Sequence, residues 1–134
     1  MPVPLRNAAL TAMELATLAR AHPGRLIAGL GHGVQSWMRQ AGAAVDLPMT
    51  LLREQVLAQR SLLAGEKVSV QGRYVQLDAV GLDFPPPQPP PLVIGASGPR
   101  SLALAAELGA GTLLEGQEEE AVRRRCQIVR EAPL

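Results

Sequence analysis

LVIGASGPRSLALAAELGAG, residues 92 to 111, is the stretch that decides the fold. An apolar run from Leu92 to Ile94 meets four small residues, Gly95, Ala96, Ser97 and Gly98, and Pro99 then opens a helix-compatible segment. Proline suits a first helical position, because the N–H it lacks would have had no partner inside the helix. The pattern is a buried strand, a tight turn and a helix whose first amides face that turn. Such a turn either serves chain geometry alone or lets an anion approach free backbone N–H groups at the positive end of a helix.

The same alternation runs along the rest of the chain. Asn7 to Ala21 reads as a helix with Asn7 as its cap and Leu10, Met13, Thr17 and Leu18 on one face, stopped by His22-Pro23-Gly24. Leu26 to Leu30 reads as a strand running into Gly29, Gly31 and Gly33. Val34 to Pro48 reads as loop or irregular helix. Thr50 to Ala64 is the clearest helix, with Thr50 as cap, Leu52, Val56, Leu57 and Leu63 on its apolar face, and Gly65 at its end. Val68 to Leu77 alternates about a polar turn at Gln71-Gly72, the signature of a hairpin. Pro85 to Pro91, interrupted by Gln88, is a stiff spacer, or a ligand for an aromatic-lined groove. Strand 92–95, helix 99–108, strand Thr112 to Leu114 and a charged helix from Gln117 to Arg130 complete the order.

With the hairpin set aside, strands and amphipathic helices alternate, which implies a parallel sheet with right-handed crossovers. The strands are short and nearly all apolar, as expected of strands covered on both faces. The fold class is α/β, either an open doubly wound sheet or part of a barrel. Three central strands and a start immediately before a helix favour the second. The chain reads as one domain over 1–134, with 66–91 as an inserted hairpin and proline-rich return.

Composition narrows the function. The formal net charge is +1, which gives no general attraction for nucleic acid or a membrane surface. The single cysteine, Cys126, excludes an internal disulfide and fits a reducing compartment. No apolar run approaches the ~20 residues of a membrane span, and MPVPLRN lacks the core of a signal peptide. A cytoplasmic location is the expectation. No metal-ligand cluster, paired catalytic carboxylates or nucleophile triad stands out. The Glu118–Glu120 run against Arg123–Arg125 reads as a solvated helix with i,i+4 pairs. Cys126 reads as a half-buried helix residue.

GRLIAGLGHGVQSWMRQAGA (24–43), LPMTLLREQVLAQRSLLAGEKVSVQGRYVQL (47–77) and PLVIGASGPRSLALAAELGAGTLL (91–114) together resemble the luciferase-like monooxygenase superfamily, the bacterial flavin- or deazaflavin-dependent oxidoreductases. The helix LRNAALTAMELATLARAHPGR ahead of them matches as well. The resemblance implies a (β/α)8 barrel with its active site at the C-terminal ends of the strands. This chain corresponds to about half of one, a partial TIM-like barrel of parallel strands plus the inserted hairpin. A half barrel exposes two sheet edges, so the resemblance implies a homo-oligomer, a complementing chain or an inactive remnant.

By the same resemblance Gly95, Ala96, Ser97 and Gly98 hold a cofactor phosphate, with Arg100 an added charge or a surface arginine. Gly29, Gly31 and Gly33 leave room for a flat ring. His32, a weak catalytic candidate, hydrogen-bonds cofactor or substrate, or is a solvated loop histidine. Trp37 and Met38 are lid or packing residues, and Glu115 is a solvated carboxylate. The implied function is hydride exchange between a flavin-type cofactor, coenzyme F-420 ahead of FMN, and a small organic substrate. A non-catalytic partner subunit or inactive remnant is the alternative. An open-sheet nucleotide-binding domain ranks last, for want of a G-x-G-x-x-G with its acidic partner.

Overall fold

A computed structural model describes residues 1–115 and 118–131. A 3-10 turn, Val3–Leu5, leads into α1 (Ala8–Ala21), β1 (Ala28–Leu30), the short α2 (Gln35–Gln40) and α3 (Pro48–Leu63). An antiparallel hairpin follows, β2 (Val68–Gln71) with β3 (Gln76–Val80), and then β4 (Leu92–Gly95), α4 (Pro99–Glu107), β5 (Gly111–Leu113) and α5 (Glu119–Glu131). Three strands form a parallel sheet in the order β1-β4-β5, and Pro2 adds a parallel bridge to Gly31 beyond β1. That order is the α/β, barrel-like alternation the sequence predicts.

The helix starts follow local chemistry. The Asn7 side chain accepts from the N–H groups of Ala9 and Leu10, and so caps α1. Pro99 takes the first position of α4 behind Gly98. At α3 the expectation fails, because Pro48 begins the helix and Thr50 lies inside it. The reason is again the fixed proline φ, which favours the first turn. Smaller differences are that β1 begins at Ala28 rather than Leu26, β5 sits one residue earlier, and Cys126 is exposed. Gln117, the expected start of the last helix, lies outside the described residues.

The larger correction concerns α1. Its buried residues are Ala8, Thr11, Ala12, Leu15, Ala16 and Ala19, while Leu10, Met13 and Leu18 are exposed. Alanines let α1 approach α3 closely, and Gln59 and Gln55 of α3 reach across to donate to the carbonyls of Ala8 (2.8 Å) and Arg6 (3.1 Å). Close approach thus selects the small-residue face over the bulkier one. On α3, Leu52, Val56 and Leu63 are buried as expected and Leu57 is not.

Sheet register explains where the core lies. Leu30 and Ile94 face the helices and pack with Leu52, Val56, Leu62 and Leu102. Alternate positions point the other way. There Gly29, Val93 and Gly111 stand side by side in register. Val93 fills the space above both glycines, and a Cβ at Gly111 would lie 2.8 Å from its Cγ1. Among the described residues this face is left open, with Ile27 66% and Leu113 59% exposed. The expectation of strands covered on both faces within the chain is therefore met on one side only.

The hairpin is fastened to α3 by Glu54. Its carboxylate accepts from the N–H groups of Arg73 (2.8 Å), Tyr74 (2.8 Å) and Val75 (2.9 Å). A Cβ at Gly72 would sit 2.8 Å from the Val75 carbonyl oxygen, a backbone atom that cannot step aside, so glycine is favoured there. Partial burial on its own would raise the Glu54 pKa. The bonds from Val75, Tyr74 and Arg73, with the Arg73 charge, outweigh it and hold the carboxyl below its ordinary range. A lowered folded pKa contributes stability above the unfolded pKa, and that contribution is lost as pH falls through the folded one. Glu54→Gln is therefore expected to cost about 1–2 kcal/mol at neutral pH by denaturant unfolding. The gap to the parent chain should close in acid, and a gap constant with pH would refute this role.

Candidate functional site

Two small-residue loops leave the C-terminal ends of β1 and β4, and parallel pairing of those strands places them side by side. A Cβ at Gly31 would lie 3.9 Å from the carbonyl oxygen of Gly95, and one at Gly95 3.7 Å from that of Leu30. Gly31 and Gly95 thus give the two loops a low border, above a sheet face on which Val93 stands between Gly29 and Gly111.

His32 is half-buried in the first loop. Its Nδ1 lies 2.8 Å from the Gly33 carbonyl oxygen, which makes Nδ1–H the donor and leaves Nε2 as the free ring nitrogen. Gln35 Nε2 donates to the carbonyls of His32 and Gly33, both at 3.2 Å, and clamps the turn. Gly33 has φ +76°, and a Cβ there would lie 2.9 Å from the Met38 sulfur. Met38 is thus a buried packing residue under the loop, whereas Trp37 is exposed at its rim.

In the second loop the Ala96 N–H donates to Leu113 O at 3.1 Å, tying the turn to β5. Ser97 is exposed. Gly98 precedes α4 with no side-chain cap, and a Cβ built on it meets nothing within 4 Å. The first-turn amides of Arg100 and Ser101 have no intrahelical acceptor, by the geometry of any helix. A small anion therefore fits at this point, in open space facing uncapped amides and the helix dipole.

Sequence reasoning missed Ser101, whose buried hydroxyl donates to the Gly98 carbonyl at 3.0 Å and fixes the last residue of the loop. A serine three residues after the Gly-Pro step was its available signal. Arg100 lies along a shallow groove between α3 and α4, beside the paired Arg53 and Glu107. Glu115 is exposed past the end of β5, and His22 caps the end of α1. Gly31, His32, Gly33, Gly95, Ala96, Ser97 and Gly98 are brought to the C-terminal end of the sheet, whereas Gly29 is the middle residue of β1, in register with Val93. Among the described residues no group of three or more His, Cys, Asp or Glu side chains is placed to hold a metal ion. Nor is any helix long and apolar enough to cross a membrane.

A sequence model of the luciferase-like monooxygenase family matches residues 1–133, and the chain belongs to that family. The 5,10-methylenetetrahydromethanopterin reductase of Methanolobus tindarius is 37% identical over 81% of this chain and 33% of its own length. The F-420-dependent hydroxymycolic acid dehydrogenase of Mycobacterium tuberculosis is 32% identical over 87% of this chain and 33% of its own. Among solved structures, the coenzyme F-420 dependent tetrahydromethanopterin reductase of Methanopyrus kandleri superposes with a TM-score of 0.83. That match is 25% identical and covers 95% of this chain and 41% of that one. The chain thus spans about a third of the length of these curated relatives, and its fold is a partial barrel.

The two glycines bordering the site differ in what they tolerate. Gly33→Ala, forced into a left-handed conformation against Met38, is expected to lose about 1–2 kcal/mol of stability. Gly98→Ala should change it by less than about 0.5 kcal/mol. Chemical denaturation of both variants checks the pair, and equal losses would show that the loop geometry is misread.

Proposed function

We propose that this chain contributes the cofactor-binding part of an oxidoreductase site, where a flavin-type cofactor exchanges hydride with a small organic substrate. Coenzyme F-420 is the favoured cofactor, ahead of FMN, because the relatives named above include F-420-dependent enzymes. The observation that carries the reading is the adjacency of the Gly31 and Gly95 loops at one end of a parallel sheet, beside the uncapped start of α4.

In this reading Ser97, Gly98 and the first turn of α4 take the cofactor phosphate, and Ala96 braces the loop through β5. Gly31 and Gly33 leave room for the ring, with Gly29 under Val93 on the sheet face below. His32, its orientation fixed by Gly33 and Gln35, offers Nε2 as an acceptor towards cofactor or substrate. The redox chemistry belongs to the ring when bound, and the protein supplies orientation and electrostatics. A second reading, a partner domain without activity of its own, is favoured by the open sheet face.

Fluorescence titration of the purified chain with coenzyme F-420, and separately with FMN, tests the proposal. Saturable binding of F-420 is expected, weaker or absent for FMN. Gly98→Val should abolish it while the chain stays folded, since the added side chain fills the phosphate space without straining the backbone. A folded parent chain that binds neither cofactor would overturn the proposal in favour of the second reading.

A further inference from the structure

Away from the β1 and β4 loops, the start of α1, the first half of α3 and the hairpin tip border a cavity of about 310 Å³. That volume falls at the lower end of small-molecule pockets, roughly 300–1,000 Å³. The cavity shares no lining residue with the His32 and Gly98 loops. It adjoins the first of them through Val3, whose N–H donates to the Gly31 carbonyl at 2.9 Å. Leu51, Val75 and Leu77, all buried, give it an apolar wall. Arg6, Asn7, Gln55 and Tyr74 line the rest with polar groups.

The hydrogen bonds already made show what that polar wall still offers. Gln55 is 3% exposed; its Oε1 takes an N–H of Gln59 at 3.5 Å, and its Nε2 donates to the Arg6 carbonyl at 3.1 Å. One N–H of its amide is left over. Tyr74 Oη accepts the Leu47 N–H at 3.0 Å, so its own proton remains to be given. Asn7 spends Oδ1 on the amides of Ala9 and Leu10 and keeps its NH2 group. Arg6 gives one N–H to Glu14 and keeps the others. What remains is a set of donors. No carboxylate lines the cavity, and the nearby Glu54 is already filled by the three hairpin amides. Gln76, on the exposed side, is the one lining side chain among the described residues that brings an unused acceptor.

We propose that this cavity is a second binding site, for a small organic carboxylate with an apolar body. The oxyanion takes the spare N–H and O–H groups of Gln55, Tyr74 and Arg6, and a ring or branched chain lies against Leu51 and Leu77. Donors left without an acceptor are costly, and bonds to a charged acceptor are stronger than neutral ones, so an anion gains most from this wall. The Arg6 guanidinium disfavours a cation at the same place. The site stands apart from the cofactor loops and does not depend on the function proposed for them.

Benzoate is the probe, added to the chain without cofactor and followed by backbone amide NMR. Saturable shifts are expected at residues 6–8, 51–55 and 74–77. Benzyl alcohol, which has the ring without the charge, and acetate, which has the charge without the ring, should each bind at least about tenfold more weakly. Arg6→Gln and Tyr74→Phe should each weaken benzoate about fivefold or more while the chain stays folded by circular dichroism. Absence of saturable shifts, shifts confined to residues 97–101, equal affinity for benzyl alcohol, or unchanged benzoate affinity in both variants would overturn the proposal. Because no cofactor is present, failure of the titration above would not affect this result.

Discussion

A parallel sheet covered on one face only is the constraint on which the rest of the molecule depends. Parallel strands ordinarily lie between two layers, because their connecting helices bury both sides or the strands close on themselves. Here the helices occupy the Leu30–Ile94 side, and among the described residues the Gly29–Val93–Gly111 side is left open. The same register fixes everything at the C-terminal end of the strands. It sets Gly31 against Gly95, lets Ala96 reach Leu113, and brings two glycine loops together where either alone would be a turn. Site and open face are two consequences of one pairing.

The elements around the sheet hold this arrangement by short-range means. Gln59 and Gln55 stitch α3 to the start of α1, Glu54 ties the hairpin turn to α3, and Arg53 pairs with Glu107 between α3 and α4. The buried amides and the Glu54 carboxylate matter more than the exposed ion pair, since exposed pairs contribute little. On α5 the Arg123–Glu119 and Arg124–Glu120 pairs are largely exposed, on a helix that touches the core through the half-buried Val129.

Much of this was legible in the residues. Gly98-Pro99 marks the α4 start, Asn7 the α1 cap, Gln71-Gly72 the hairpin turn, and each has a local cause that acts before any tertiary contact. The features that could not be read depend on which neighbour arrives. α1 has alanines on one side and Leu10 and Met13 on the other, and hydropathy favours the bulkier side. The structure buries the alanines, because close approach to α3 and the carbonyl bonds from Gln59 decide the matter. Glu54 looks like any helix glutamate until the hairpin brings three N–H groups to it. At the site, the glycines and His32 were visible as types and spacing. The Ala96 bond to β5 and the Ser101 bond to Gly98 were not, because they follow from strand order and from the first turn of a helix.

The central claim is that the β1 and β4 loops form one ligand-binding surface. Backbone amide NMR spectra recorded while coenzyme F-420 is added test it residue by residue. The account predicts shifts concentrated at residues 31–33 and 97–101, with the hairpin and the outer face of α1 unmoved. Shifts centred on the hairpin or on α1, or on only one of the two loops, would contradict it.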